Sequence, residues 1–64
     1  MPIARISIMD GRTDAQKAHL IAAVSDAIHE SLGAPYEAIR VLLEEVPRTQ
    51  WGIGGKTAIE LGKT

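Results

Sequence analysis

Cysteine is absent from this 64-residue chain, which excludes disulfides and thiolate metal sites. The histidines, His19 and His29, are spaced so that they lie on different faces of a helix, which argues against a shared metal. A domain this short buries only about 60% of the surface that its unfolded chain exposes, and small folds compensate with disulfides, a metal or oligomerisation. We therefore expect one domain, residues 1–64, that has no metal and is stabilised by self-association.

Aromatic residues and charged runs are also scarce. Tyr36 and Trp51 are the aromatic residues, whereas hydrophobic residues, mostly aliphatic, make up 45% of the chain. The formal net charge is −1 and no basic run is present, so we expect neither nucleic acid nor a membrane surface as a partner. The sequence has no apolar segment of transmembrane length and no signal-peptide pattern, which leads us to expect a cytoplasmic protein.

Alternation and capping signals predict a strand followed by a helix. Apolar residues alternate over residues 2–9 with the period of a strand. Thr13 and Gln16 have the spacing of a capping box, so we expect a helix over about residues 14–32. Gly33 is a natural C-terminal cap for that helix.

The predicted helix and the segment after it carry more apolar surface than one chain can cover. The helix has an apolar stripe at spacings of three and four residues, and we expect this stripe to be buried. Its members are Leu20, Ile21, Val24, Ala27, Ile28, Ser31 and Leu32. Residues 39–46 predict a second strand that is apolar on both faces, which is typical of a strand covered on both sides. One helix covers one side only, so we expect a partner chain on the other.

The connection between the predicted strands is long enough for a parallel pair with a right-handed crossover. Residues 51–55 predict a short hairpin, and residues 56–61 predict one helical turn. The sequence therefore predicts an α+β fold. It is a short β-α-β unit with a parallel strand pair, a crossover helix and a C-terminal hairpin, assembled as an oligomer.

The second residue is a candidate catalytic base. Initiator methionine is normally removed before a small residue, and removal of Met1 exposes the secondary amine of Pro2. Burial in an apolar site and nearby cations both lower the pKa of an amine toward neutral pH, where a general base works best. Taken alone, a proline here is more often an ordinary strand-initial residue.

Two arginines are candidate ligands for substrate carboxylates, because a guanidinium pairs with a carboxylate through two parallel hydrogen bonds. Arg12 follows the first predicted strand, and Arg40 opens the second. Parallel pairing puts Pro2 and Arg40 at one end of the sheet and Arg12 near the other, roughly 25 Å away along an extended strand. Arg12 reaches Pro2 of its own chain only if the turn folds back; otherwise it belongs to a neighbour's site. Either arginine alone is also typical of a solvated surface.

Five short segments, spread over nearly the whole chain, form a specific combination. They are Met-Pro-Ile at 1–3, Asp-Gly-Arg-Thr-Asp-Ala-Gln-Lys at 10–17, Ala-Pro at 34–35, Ile-Arg-Val at 39–41 and Trp-Gly-Ile-Gly-Gly at 51–55. This combination resembles the 4-oxalocrotonate tautomerase family. The resemblance implies the tautomerase β-α-β fold in a homohexamer, a trimer of dimers, that needs no metal or organic cofactor.

The resemblance also implies a role for each candidate residue. Pro2 is expected to be the general base and Arg12 to bind one substrate carboxylate. Arg40, from an adjacent subunit, is expected to bind the other carboxylate region and polarise the 2-oxo group. Trp51 stands where the family usually has phenylalanine, a wall that lowers the pKa of the proline. Ala38 stands where relatives often have serine, and its substrate contact is expected through the backbone.

Three functions are compatible with these residues. The first is an enol–keto tautomerase, an isomerase acting on 2-hydroxymuconate-like dienol dicarboxylates. The second, motivated by the large Trp51 side chain, is a phenylpyruvate-type or promiscuous tautomerase or hydratase in the same fold. The third is a non-catalytic oligomeric scaffold, which a retained Met1 would favour.

Overall fold

A computed structural model describes residues 1–63 of the chain. Strand β1 spans Ile3–Met9, helix α1 spans Asp14–Leu32 and strand β2 spans Arg40–Val46. The two strands pair in parallel, so α1 is the crossover between them. The predicted β-α-β unit is confirmed, and each strand begins one residue later than the apolar pattern predicts.

Both ends of α1 are capped as the sequence predicts. The hydroxyl of Thr13 accepts a hydrogen bond from the amide of Gln16 at 3.1 Å, and the Gln16 side chain accepts one from the Thr13 amide at 2.9 Å. This capping box satisfies two of the amides that a helix N-terminus leaves unpaired. At the C-terminus, Gly33 is left-handed with a φ of 69°, and its amide donates to the carbonyl oxygen of His29 at 2.9 Å.

The segment after β2 contains a short 3-10 turn and a hairpin. A 3-10 turn at Arg48–Gln50 leads to strands β3 (Gly52–Ile53) and β4 (Lys56–Thr57), which pair in antiparallel fashion. The predicted hairpin is confirmed. The helical turn predicted over residues 56–61 is confirmed in part, because Lys56 and Thr57 form β4, whereas the Leu61 amide donates to the Thr57 carbonyl oxygen at 3.2 Å and closes one turn. Gly54 and Gly55 both have positive φ, 61° and 89°, as a two-residue hairpin turn requires, and this turn directs the next residues back along β3. Hydrogen-bonded turns follow β4.

The strands present one face to α1 and leave the other open. Half-buried and exposed positions alternate along β1 and along most of β2. On the covered face Ile6 lies opposite Leu43, and Glu45 pairs with Lys17 of α1 at 2.9 Å. On the open face Leu42 is 49% exposed. The second strand is therefore apolar on both faces, as predicted, while this chain covers only one.

Residues 1–63 bury little of their apolar surface within one chain, where Ile39 and Ala58 are the hydrophobic residues classed as buried. The radius of gyration is 14.5 Å, against about 11 Å for a compact domain of this length. The accessible surface of 4628 Å² exceeds the value of about 4000 Å² expected for a folded monomer of this mass.

The predicted burial of the α1 stripe is wrong for the isolated chain. None of the residues of α1 is buried, and Leu32 is 69% exposed. The sheet that packs against α1 has only two strands, so it covers only part of the helix surface. The remainder lines an open apolar groove of about 500 Å³, formed by Ala23, Val24, Ala27, Ile28, Ser31 and Leu32.

Within the described residues, no helix has both the length and the apolar character needed to cross a membrane.

Candidate active site

The strand register brings Pro2 and Arg40 together at one end of the sheet. The carbonyl oxygen of Pro2 accepts a hydrogen bond from the amide of Arg40 at 3.0 Å, next to the Ile3–Arg40 pair of the ladder. Pro2 is half-buried, whereas Met1 is 79% exposed. The backbone ladder therefore holds Pro2 at the end of the sheet through its carbonyl oxygen, and the residue that precedes it is exposed.

The guanidinium of Arg40 folds back over the start of β2. Its Nη1 donates to the carbonyl oxygen of Glu37 at 2.7 Å and to that of Ile39 at 3.2 Å. Both contacts use one nitrogen, and a guanidinium carries five N–H donors, so donors remain for a carboxylate. The side chain is exposed and lies on the sheet face that α1 does not cover.

Ala38 lies in a 3-10 turn, Tyr36–Ala38, that leads into β2. Its amide donates to the carbonyl oxygen of Pro35 at 3.0 Å, so the turn already uses this donor. The Tyr36 hydroxyl donates to the Asp26 carboxylate at 2.8 Å, and its ring stacks on His29 with centroids 4.3 Å apart. The turn is thereby held against the C-terminal half of α1.

Arg12 lies at the opposite end of the sheet from Pro2. The amide of Asp10 donates to the carbonyl oxygen of Val46 at 3.1 Å, which extends the parallel ladder past the end of β1. The chain then turns at Gly11 and enters α1 without folding back toward Pro2. Seven strand residues span roughly 20 Å, so the two candidate groups of one chain lie too far apart to hold one small substrate.

A small cleft of about 130 Å³ lies between this turn and α1, lined by Ile8, Arg12, Gln16, Lys17 and Leu20. Lys17 pairs with Glu45 at 2.9 Å and with Asp14 at 3.3 Å. The hydrogen bond to Glu45 is the main cause that raises the pKa of Lys17; burial opposes the shift and Asp14 reinforces it. Lys17 is therefore a charged group committed to its carboxylate partners, and the exposed Arg12 is the cation that the cleft offers to a ligand.

Trp51 lies on the Arg12 side of the molecule, after the end of β2. Its side chain is half-buried, and its carbonyl oxygen accepts a hydrogen bond from the amide of Ala58 at 2.8 Å, which closes the β3–β4 hairpin. Trp51 thus lies in a hydrogen-bonded hairpin rather than in a free tail, and β2 separates it from Pro2 of the same chain.

One pair of residues at this end, Asp10 and Arg48, was not predicted from the sequence. Nε of Arg48 lies 3.3 Å from Oδ1 of Asp10, and Nη2 donates to the Asp10 carbonyl oxygen at 3.4 Å. The sequence does contain a signal for this pair, because its opposite charges follow the ends of two parallel strands. Parallel strands end at the same edge of a sheet, which brings the two residues close together. Residues 1–63 contain no group of three or more histidine or carboxylate side chains placed to hold a metal.

The fold and the candidate groups define a small β-α-β protein with Pro2 and Arg40 at one end of the sheet and Arg12 at the other. The family model for tautomerase enzymes matches residues 2–58. The chain belongs to the tautomerase family. It is a tautomerase, an enzyme of the isomerase class.

Relatives in sequence agree with this assignment. The chain is 49% identical over 63 residues to a 2-hydroxymuconate tautomerase of Stutzerimonas stutzeri, a match that covers 98% of this chain and 100% of the relative. It is 53% identical over 58 residues to a 2-hydroxymuconate tautomerase of Pseudomonas sp. strain CF600, covering 91% of this chain and 92% of the relative.

Solved structures agree as well. A 4-oxalocrotonate tautomerase isozyme of Methylibium petroleiphilum superposes with a TM-score of 0.93 at 45% identity, covering 97% of this chain and 100% of the other. A heterohexamer 4-oxalocrotonate tautomerase of Chloroflexus aurantiacus gives 0.90 at 38% identity, covering 95% and 98%. The predicted tautomerase fold is thus confirmed.

Proposed function

We propose that the protein isomerises 2-hydroxymuconate-like dienol dicarboxylates to their keto forms, with Pro2 as the general base after removal of Met1. The observation that supports the proposal is the ladder bond from the Arg40 amide to the Pro2 carbonyl oxygen, which holds Pro2 at one end of the sheet, the end opposite Arg12 of the same chain. Near-full-length relatives that are 2-hydroxymuconate tautomerases support the substrate class.

The reaction needs one group that both accepts and returns a proton. The uncharged amine of Pro2 takes the proton from the enol hydroxyl and returns it to a carbon further along the conjugated chain. Arg12 binds one carboxylate, while Arg40 binds the other carboxylate region and stabilises the negative charge that grows on the enol oxygen. The backbone at Ala38 borders the substrate. No metal or organic cofactor takes part.

The amine must be uncharged in the resting enzyme. An exposed secondary amine is strongly basic, so the site has to disfavour its ammonium form. Arginine charges beside the nitrogen and an apolar wall that excludes water both act in that direction. Trp51 supplies this wall.

One active site combines residues from several subunits, because a substrate only a few bonds long cannot touch both Pro2 and Arg12 of one chain. A two-fold axis perpendicular to the strands reverses the strand direction of a second copy, and such an axis would bring its Arg12 and Trp51 beside Pro2 of the first. The open groove along α1 and the open sheet face supply apolar surface for such contacts. We propose a homohexamer of single-domain subunits, a trimer of dimers, with Arg40 supplied by an adjacent subunit.

The test compares the processed enzyme with P2A and with protein that retains Met1. Mass spectrometry establishes the N-terminus of each sample, and the decay of the dienol absorbance gives the rate. We expect P2A, which keeps a primary amine, to lose about 10²- to 10⁴-fold in kcat/KM, and the Met1-blocked protein to lose at least as much. Equal rates for wild type and P2A would reject the proline mechanism.

A second arm of the experiment addresses the substrate class. The enol of phenylpyruvate has one carboxylate and serves as the matched substrate. Two arginines favour the dicarboxylate, so we expect the higher kcat/KM for the dienol dicarboxylate. The opposite preference would indicate an enzyme of the phenylpyruvate type.

A further inference from the structure

The turn that carries Arg12 has little regular structure to hold it. Residues 10–13 connect β1 to α1, and they contain Gly11 with a φ of 107°. The backbone contacts lie at its two ends, where the Asp10 amide continues the strand ladder and Thr13 caps the helix. The direction of Arg12 therefore depends on what holds the middle of this turn.

Arg48 covers the middle of the turn. Its Nε lies 3.3 Å from Oδ1 of Asp10, and its Nη2 donates to the Asp10 carbonyl oxygen at 3.4 Å. A Cβ built on Gly11 would collide with Nη2 of Arg48, so the guanidinium occupies the space that the glycine leaves. A side chain at residue 11 would move the Arg48 guanidinium from this place, and the φ of 107° is one that residues other than glycine rarely adopt.

One atom of each charged group in this pair is shielded from water. Oδ1 of Asp10 and Nε of Arg48 are both buried, and their approach at 3.3 Å is an ion pair without hydrogen-bond alignment. The two side chains are otherwise partly exposed, 37% for Arg48 and 46% for Asp10. A partly exposed ion pair adds little to stability, so the pair matters here for the geometry that it gives the turn.

Arg48 also belongs to the segment that positions Trp51. It opens the 3-10 turn Arg48–Gln50 that leads directly to Trp51, and its carbonyl oxygen lies 3.4 Å from the donating amide of Ile59. One residue therefore contacts the turn that carries Arg12 and anchors the hairpin that carries Trp51.

We propose that Arg48 is a positioning residue that orients Arg12 toward the substrate carboxylate by clamping Asp10 and Gly11, and that holds Trp51 in fixed relation to it. This proposal rests on the proposed function, in which Arg12 binds a carboxylate. Without the contact of Arg48 with Asp10 and Gly11, the turn that carries Arg12 samples more conformations, and substrate binding has to restrict them. Loss of this contact therefore weakens substrate binding and does not slow the proton transfer, which takes place at Pro2.

The experiment measures kcat and KM for the dienol dicarboxylate and for phenylpyruvate enol in R48M, R48K and D10N. We expect R48M to raise KM for the dicarboxylate by about 3- to 10-fold with kcat within about 2-fold, and to leave KM for the monocarboxylate unchanged. R48K keeps the charge but not the fork that reaches both the carboxylate and the carbonyl oxygen, so it should restore part of the loss. K56M, which removes an exposed cation from the same segment, is the matched control and should resemble wild type.

Double mutants separate positioning from direct substrate contact. If Arg48 acts through Asp10, D10N and R48M together should raise KM no more than the larger single effect. If it acts through Arg12, R48M should add nothing to R12A. Additive effects in these pairs would mean that Arg48 itself binds substrate and would overturn the proposal, as would a fall in kcat at constant KM.

R12A alone distinguishes this proposal from the one on which it rests. A raised KM in R12A together with an unchanged KM in R48M, R48K and D10N overturns the role of Arg48 only. An unchanged KM in R12A overturns the carboxylate role of Arg12 and this proposal with it. If R48M does not fold, R48K and D10N carry the test, and Trp51 emission on titration with a saturated six-carbon dicarboxylate measures binding without chemistry.

Discussion

The two ends of the β1–β2 sheet hold their candidate residues by different means. At one end the backbone ladder itself joins Pro2 to Arg40. At the other, Arg12 follows a glycine with positive φ, and a side chain from a separate turn, Arg48, covers that glycine. Secondary structure fixes the first end, whereas individual side chains fix the second. We therefore expect changes at the Pro2–Arg40 end to affect the chemical step and changes at the Arg12 end to affect binding.

The largest expected effect comes from mixing inactive subunits. P2A and R12A are each defective alone, but if one site takes Pro2 and Arg12 from different subunits, a mixed oligomer contains intact sites. With random mixing, about a quarter of the sites are intact, so we expect about a quarter of the wild-type kcat/KM. Differently tagged, co-expressed subunits allow the mixed species to be purified and assayed.

The control for this mixture is P2A combined with a P2A copy that carries the other tag. If the mixed oligomer is no more active than the mean of its two parent variants, then Pro2 and Arg12 act within one chain. That outcome would contradict the proposal that each site takes them from different subunits. Mixing P2A with R40A asks the same question of Arg40.

The next largest effect contrasts the two arginines. R40A removes a donor that stabilises the charge growing on the enol oxygen, so we expect kcat to fall by about 10²- to 10³-fold. R12A removes a charge-assisted carboxylate contact, and we expect KM to rise by about 10- to 100-fold with a smaller change in kcat. Steady-state kinetics on the dienol dicarboxylate measure both. A dominant kcat effect in R12A would contradict the division between the two ends.

Local signals predicted the parts of the fold that depend on neighbouring residues. The helix over residues 14–32 is confirmed at both ends, because Thr13, Gln16 and Gly33 form their caps from contacts within a few residues. The parallel order is confirmed as well, since a crossover of this length allows it. Pairing in register then brings Pro2 and Arg40 of one chain to the same end of the sheet, so this part of their placement could be predicted from the sequence.

Features that depend on distant residues could not be predicted in the same way. The clamp requires Arg48 to lie over Gly11, which depends on the geometry of a turn far along the chain. Residues 56–61 lack a strong strand pattern, and only the turn at Gly54 and Gly55 pairs their first part with β3. The site proposed for Arg12 needs a neighbouring subunit, and no pattern within one chain specifies how that subunit docks.

A smaller effect is expected for the apolar wall. W51F restores the residue that the family usually carries and keeps an aromatic ring, so we expect kcat/KM to change by no more than about 3-fold. W51A opens the site to water, which favours the charged form of the amine. We expect the acidic limb of its pH–rate profile for kcat/KM to move to higher pH. An unchanged profile in W51A would mean that the ring has no part in tuning the base.

The smallest effect concerns the turn before β2, where side chains reinforce the backbone at the Pro2–Arg40 end of the sheet. The hydrogen bond to Asp26 is the main cause that raises the pKa of Tyr36, with burial and the charges of Asp26 and Glu30 adding to it. A pKa raised by folding contributes stability below the pKa of the unfolded chain, and this stability is lost as the pH rises through the folded pKa. Tyr36 is the only tyrosine, so phenolate absorbance reports its titration directly. We expect D26N to lower the midpoint of the Tyr36 titration and to leave kcat within about 2-fold, with Y36F as the matched control. A clear fall in kcat in both variants would show that side chains, and not the backbone ladder alone, hold the residues at the Pro2–Arg40 end in place.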